Sequence, residues 1–185
     1  MSDVKKIMEM IKENDVTYVD VRFTDPRGKM QHLSQHVDTI DEESLEEGFM
    51  FDGSSIAGWK AINESDMLLK PDLYRAYMDP FFAQPTLALF CDVLEPSSGQ
   101  PYSRDPRSTA KAAIAHMEST GVADTAFFGP EAEFFLFEDV KMDVSMNRGY
   151  YEVDSSEGPY NSAKSYDEGN LGHRPGIKGG YFPVP

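Results

Sequence analysis

Glu131 and Glu133 are the residues whose types and spacing most directly suggest shared chemistry. They lie in Phe128-Gly129-Pro130-Glu131-Ala132-Glu133-Phe134-Phe135-Leu136-Phe137, part of an apolar run over residues 125–140 that predicts a long strand interrupted by Gly129-Pro130. Side chains alternate along a strand, so the two carboxylates share a face with Cα atoms about 6.7 Å apart. Phe135 and Phe137 continue that face, while Ala132, Phe134 and Leu136 occupy the other. Two anions beside an apolar wall are costly unless cations or hydrogen-bond donors meet them. Hard oxygen ligands of this kind suit Mg²⁺ or Mn²⁺, and paired metals are one way to handle phosphates. Taken alone, the same pattern is more often a solvated strand face.

Phe51-Asp52-Gly53-Ser54-Ser55 is the second candidate. Asp-Gly-Ser-Ser fits a tight turn in which the Asp and Ser side chains cap backbone groups. An aspartate on such a loop can also be a positioned base, depending on what it faces. Lys178-Gly179-Gly180-Tyr181-Phe182-Pro183 is a glycine turn followed by aromatics, with His173 and Arg174 just before it. It matches no phosphate-loop pattern, although two glycines let a backbone approach a ligand closely. His32 and His36 have no third ligand nearby and read as polar residues on a strand face. His116 reads as solvated on the polar side of a helix.

Lys plus Arg is 17 and Asp plus Glu is 32, a formal charge of 17 − 32 = −15. Such a chain repels phosphate backbones, which argues against nucleic acid as a partner but not against nucleotides met through metal ions. Cys91 is the only cysteine, so an intrachain disulfide is excluded, and its setting on an alternating strand makes it a small core hydrophobe. No apolar run reaches membrane-spanning length, and the N-terminus lacks a signal-peptide core. The expected location is therefore the cytoplasm, with no membrane partner.

These groups must be positioned by a mixed set of elements. Ser2 or Asp3 caps a first helix with Val4, Ile7, Met8 and Ile11 on one face. Val19, Val21 and Phe23 alternate with polar residues as a strand, and Asp25-Pro26-Arg27-Gly28 turns the chain into a hairpin partner over 29–34. A short acidic helix over 41–47 closes at Gly48. Strands follow at 67–69 and 86–93, separated from the Phe51-to-Trp59 loop by polar sequence. Residues 95–101 are the candidate linker. Asp105-Pro106 starts a second long helix, stopped by Gly121, whose buried stripe should be Ala110, Ala113, Ile114 and Met117. From Met142 onwards no periodicity is found. A stretch of that length without regular structure means either functional loops or absent packing partners.

Four ordered segments carry a resemblance: Phe51-Asp52-Gly53-Ser54-Ser55 with the following Glu64-Ser65-Asp66, then Phe128-Gly129-Pro130-Glu131-Ala132-Glu133-Phe134, Asn170-Leu171-Gly172-His173-Arg174-Pro175, and Lys178-Gly179-Gly180-Tyr181-Phe182-Pro183. Together they resemble glutamine synthetases, most closely the bacterial type I enzymes, over essentially the whole chain. The resemblance implies an α+β fold: a β-grasp domain over 15–99, then the start of a catalytic domain over 106–185. It implies a glutamate–ammonia ligase that uses ATP, releases ADP and passes through γ-glutamyl phosphate. Glu133 would hold the metal that organises glutamate and the acyl phosphate, and Glu131 the metal that bridges the ATP phosphates. Asp52, Ser55 and Tyr181 would form the ammonium site. Trp59, the only tryptophan, would be a subunit contact, because in this family its loop reaches a neighbouring subunit of a dodecamer.

The family's catalytic domain runs far past Pro185, so the chain is expected to be an N-terminal part that is inactive alone, with a poorly ordered C-terminal half. Two other readings stand beside this one. The chain could be a short, non-catalytic relative that binds synthetase subunits or a metabolite, or a relative that ligates glutamate to an amine.

Overall fold

The computed structural model describes residues 3–155, which fall into two units divided between Phe127 and Phe128. In the first unit, α1 (Asp3–Glu13) buries Val4, Ile7 and Ile11. That spacing puts all three on one face of the helix. The face packs into a core with Val19, Val21, Phe23, Met67, Leu69, Leu87, Leu89, Cys91 and Val93. Each such side chain contributes about 1.5–3 kcal/mol on leaving water.

The strands are β1 (Tyr18–Thr24), β2 (Met30–His36), β3 (Phe49–Asp52), β4 (Asp66–Met78) and β5 (Thr86–Leu94). Their order in the sheet is β2-β1-β5-β4-β3. All neighbours are antiparallel except β1 and β5, which run parallel from Tyr18↔Thr86 to Arg22↔Phe90. The hairpin expected after Asp25-Pro26-Arg27-Gly28 forms, with Tyr18 opposite His36 and Thr24 opposite Met30. Asp25 holds the turn by accepting from the N–H groups of Arg27 (2.9 Å) and Lys29 (3.0 Å). Between β2 and β3, α2 (Glu42–Glu47) opens with a reciprocal cap between Asp41 and Ser44. It closes at Gly48, whose φ of +101° and approach to the Leu69 carbonyl leave no room for a side chain. Leu45 is its buried anchor.

Residues 95–101, expected as a linker, form a turn in which Glu95 O accepts from Gly99 N (2.8 Å) and Gln100 O accepts from Glu95 N (2.9 Å). Beyond it, α3 (Pro106–Thr120) begins at Asp105, which caps the Arg107 and Ser108 N–H groups. Asp105 also accepts from Val93 N (3.3 Å), so the cap ties the helix start to β5. Arg107 bridges Asp72 (2.5 Å) and Asp92 (3.0 Å), and Lys111 joins Asp92. The helix itself corrects an expectation. No residue of α3 is buried, and the stripe Ala110, Ala113, Ile114 and Met117 lies exposed or half-exposed, because nothing among the described residues packs on it.

The second unit departs furthest from expectation. Residues 128–137 adopt no strand. A strand is stabilised by a neighbour's N–H and C=O groups, and the described residues offer this segment none. Phe128, Phe134, Phe135 and Leu136 stand in the open, with Phe134 76% exposed. After it comes a hairpin that the sequence reading lacks, β6 (Asp139–Ser145) and β7 (Arg148–Asp154), running from Asp139↔Asp154 to Ser145↔Arg148. Among the described residues, no helix is long and apolar enough to cross a membrane.

Candidate functional site

Asp52 is the last residue of β3, paired across the ladder with Asp66, the first residue of β4. Directly after it the chain makes a single 3₁₀ turn, Gly53–Ser55, for which Asp52 is the cap. The Asp52 carboxylate accepts from Ser54 N at 2.8 Å and from Ser54 Oγ at 2.6 Å, both at Oδ1. The Ser54 hydroxyl first, and its N–H second, hold the Asp52 carboxyl below the ordinary carboxylate range, against an opposing effect of desolvation. Asp52 and Ser55 are both exposed. An ionised, outward-facing carboxylate on a fixed turn can bind a small cation and accept a proton from it.

The turn is pinned from behind. Gly53 N donates to the Ser65 carbonyl at 2.7 Å, and Ile56 N donates to the Gly53 carbonyl at 3.2 Å. A Cβ on Gly53 would meet Met67 Cγ at 2.5 Å, closer than real Cβ contacts allow, and the Ser65 carbonyl at a tight 3.1 Å. The glycine is thus required by close approach to β4 and not by its backbone angle. Further along the same loop, Lys60, Glu64, Ser65, Asp66, Glu95 and Ser97 border an open depression of ≈ 630 Å³. Lys60 pairs there with Glu95 at 2.7 Å.

Trp59 is anchored inside this chain. It is 7% exposed and sits among Phe23, Phe51 and Tyr102, with ring centroids 5.4, 5.9 and 5.3 Å away. Within this chain the ring is thus a core anchor, and the subunit contact that the resemblance implies for its loop concerns a neighbouring copy. Arg104 donates to the carbonyls of Gly58 and Trp59, closing this part of the loop.

Glu131 and Glu133 lie in the second unit, both exposed on the irregular segment. The shared strand face expected for them is therefore not formed. Among the described residues no group of three or more His, Cys, Asp or Glu side chains is arranged to hold a metal ion. Tyr181, His173, Arg174 and the Lys178–Pro183 segment lie outside the described residues. His116 is exposed on α3, as expected.

The histidine expected as a plain polar strand residue has a partner. His32 Nδ1 lies 2.7 Å from Asp20 Oδ1, and Asp20 also accepts from Ser34 Oγ (2.5 Å) and Arg22 Nε (2.6 Å). Arg22 reaches on to Asp79 at 2.6 Å. Burial alone would push the fully buried Asp20 up, but the hydrogen bonds from Ser34, His32 and Arg22 bring its carboxyl below the usual range. Burial pushes the Cys91 thiol up to about 12, outweighing a hydrogen bond from the Arg22 backbone. It is the inert core thiol its setting suggests.

Two sequence profiles match the chain in order: the glutamine synthetase β-grasp domain over residues 15–96 and the glutamine synthetase catalytic domain over residues 103–185. The chain belongs to the glutamine synthetase family. A glutamine synthetase of Azospirillum brasilense is 68% identical over 184 residues, and one of Methylococcus capsulatus 61% over 181. These alignments cover 100% and 98% of the chain, but each covers 39% of the relative. The chain thus spans about two fifths of the length of the curated relatives it matches. The cryo-EM structure of Plasmodium falciparum glutamine synthetase aligns with 100% of the chain at a TM-score of 0.68 and 26% identity, covering 37% of that protein. The α+β fold with a leading β-grasp sheet follows from these matches and from the sheet itself.

Proposed function

We propose that the protein ligates ammonia to glutamate at the expense of ATP, and so serves glutamine biosynthesis and nitrogen assimilation in the cytoplasm. The observation that carries this reading is the match of both family profiles, in order, along the chain. In the reaction a phosphoryl group passes from ATP to a γ-carboxylate oxygen of glutamate, leaving ADP. Ammonia then attacks the γ-carbonyl carbon of γ-glutamyl phosphate, and the carbon–oxygen bond to phosphate breaks.

Asp52 is suited to the second step. Its carboxylate is exposed and held ionised by Ser54, so it can bind NH₄⁺ and take the proton whose loss frees the nitrogen lone pair. Ser55 stands on the same turn, and Tyr181 would complete the ammonium site. Glu131 and Glu133 offer carboxylate oxygens, which match Mg²⁺ or Mn²⁺ in kind. Glu133 would sit at the glutamate side and Glu131 at the ATP side. Such ions, when bound, act as Lewis acids and neutralise charge on the transferred phosphoryl group. A hard divalent ion takes about six oxygens, so further ligands must come from outside the described residues. The loop of Asp52 and Trp59 would face a neighbouring subunit in a homododecamer.

The 185-residue chain supplies too few of these groups to turn over. A γ-glutamyl hydroxamate assay with glutamate, ATP and hydroxylamine checks both statements. Turnover is expected from the protein extended to the length of its relatives and not from this chain. No turnover in the extended protein overturns the ligase reading, and robust turnover by the chain overturns its predicted inactivity.

A further inference from the structure

We propose that Ser54 is a positioning residue for Asp52, fixing the direction of its carboxylate through two hydrogen bonds to one oxygen. The inference rests on the ammonium-site reading of Asp52 given above, and gives Ser54 a separate task from Ser55. Ser54 Oγ and Ser54 N reach Asp52 Oδ1 at 2.6 and 2.8 Å. A carboxylate held at one oxygen by two donors of one residue cannot rotate without breaking both bonds. The backbone donor follows a pinned residue, because Gly53 N is bonded to the Ser65 carbonyl and Gly53 lies against Met67 with no space for a side chain. The Ser65 hydroxyl adds a lesser stabilising contact to Asp52. Ser54 is half-buried with its hydroxyl donated to Asp52, whereas Ser55 is exposed. Both bonds favour the ionised carboxylate, the form that attracts ammonium.

Two experiments separate this inference from the functional reading beneath it. The first needs no catalysis: the Asp52 carboxyl is titrated by NMR in this chain as wild type, Ser54→Ala and Ser54→Thr. In the wild type it is expected to titrate below the ordinary aspartate value. It should move upward in Ser54→Ala, and return in Ser54→Thr, which keeps both donors. An Asp52 titration unaffected by Ser54→Ala overturns the positioning role. The second uses the full-length protein and follows the dependence of rate on ammonium and on pH. Ser54→Ala should raise KM for ammonium about tenfold, in line with loss of a charge-assisted hydrogen bond. The acid limb of kcat/KM should move to higher pH, while KM for ATP and glutamate stays within about twofold. Ser54→Thr should restore wild-type behaviour. A uniform loss across all three substrates, or no change, counts against positioning. If Asp52→Asn leaves the ammonium dependence unaltered, the ammonium-site reading itself fails, whatever the titration shows.

Discussion

The sheet of β1–β5 and the stretch from α3 to β7 contain comparable amounts of apolar sequence but treat it in opposite ways. In the sheet, Val19, Val21, Leu69, Leu87, Leu89 and Val93 are fully buried. Between Asp105 and Asp154 no residue is buried, and Phe127, Phe128, Phe135 and Leu136 are all at least 80% exposed. The difference is one of partners. The sheet has α1 and α2 from its own sequence to cover its inner face, whereas the later apolar side chains meet no comparable surface among the described residues. Ile114 on α3 and Phe134 on the irregular segment have the composition of core residues, and exposure of this extent is how large interaction surfaces look.

Truncation gives the largest contrast. Leu89→Ala should lower the stability of the sheet by about 2–5 kcal/mol in urea unfolding, because the emptied volume cannot be refilled. Phe134→Ala should change the same transition by less than about 0.5 kcal/mol. A cost for Phe134→Ala near that of Leu89→Ala would dissolve the distinction.

Electrostatics sharpens it next. Asp20→Asn leaves Arg22 with one carboxylate fewer in a buried network and should cost about 3 kcal/mol. The folded-state Asp20 carboxyl lies below its unfolded value. Its contribution is therefore complete above the unfolded value of about 3.9, and disappears as pH falls through the lower, folded one. Urea midpoints measured from pH 6 to pH 2 should drop more steeply in the wild type than in Asp20→Asn. Parallel curves would remove Asp20 from the acid sensitivity of the sheet.

The smallest effect is chemical. Cys91, buried and raised to about 12, should not react with a thiol reagent at pH 8 until the sheet unfolds. A cysteine placed by Phe134→Cys, in a Cys91→Ala background, should react at the rate of a free thiol. Protection of that second thiol would mean that residues 128–137 are covered.

The same contrast explains what could be read from the sequence. The α1 stripe, the Asp25 turn, the Gly48 stop and the Asp105-Pro106 start are local signals written in neighbouring residues, and each stands in the structure. The parallel contact of β1 with β5, and the four-residue β3 against β4, depend on distant partners that periodicity does not name. For residues 125–140 the period-two reading carries only a capacity for strand, and that capacity is unmet before Asp139. The β6–β7 hairpin had a signal, since Val140, Met142 and Val144 alternate with Lys141 and Asp143. At the candidate site, Asp-Gly-Ser-Ser announced the turn. That both Ser54 donors meet one oxygen depends on a side-chain direction, and spacing alone does not set it.

The position of β5 has a consequence for synthesis. It is the last of the five strands in the sequence and the middle strand of the sheet, with β1 on one side and β4 on the other. While residues 86–94 are still inside the ribosome, β2-β1 and β4-β3 can exist only as two separate hairpins, each with an unpaired edge. Hairpins of that size are marginal in water. The sheet should therefore appear late and all at once, when the strand that joins its halves emerges.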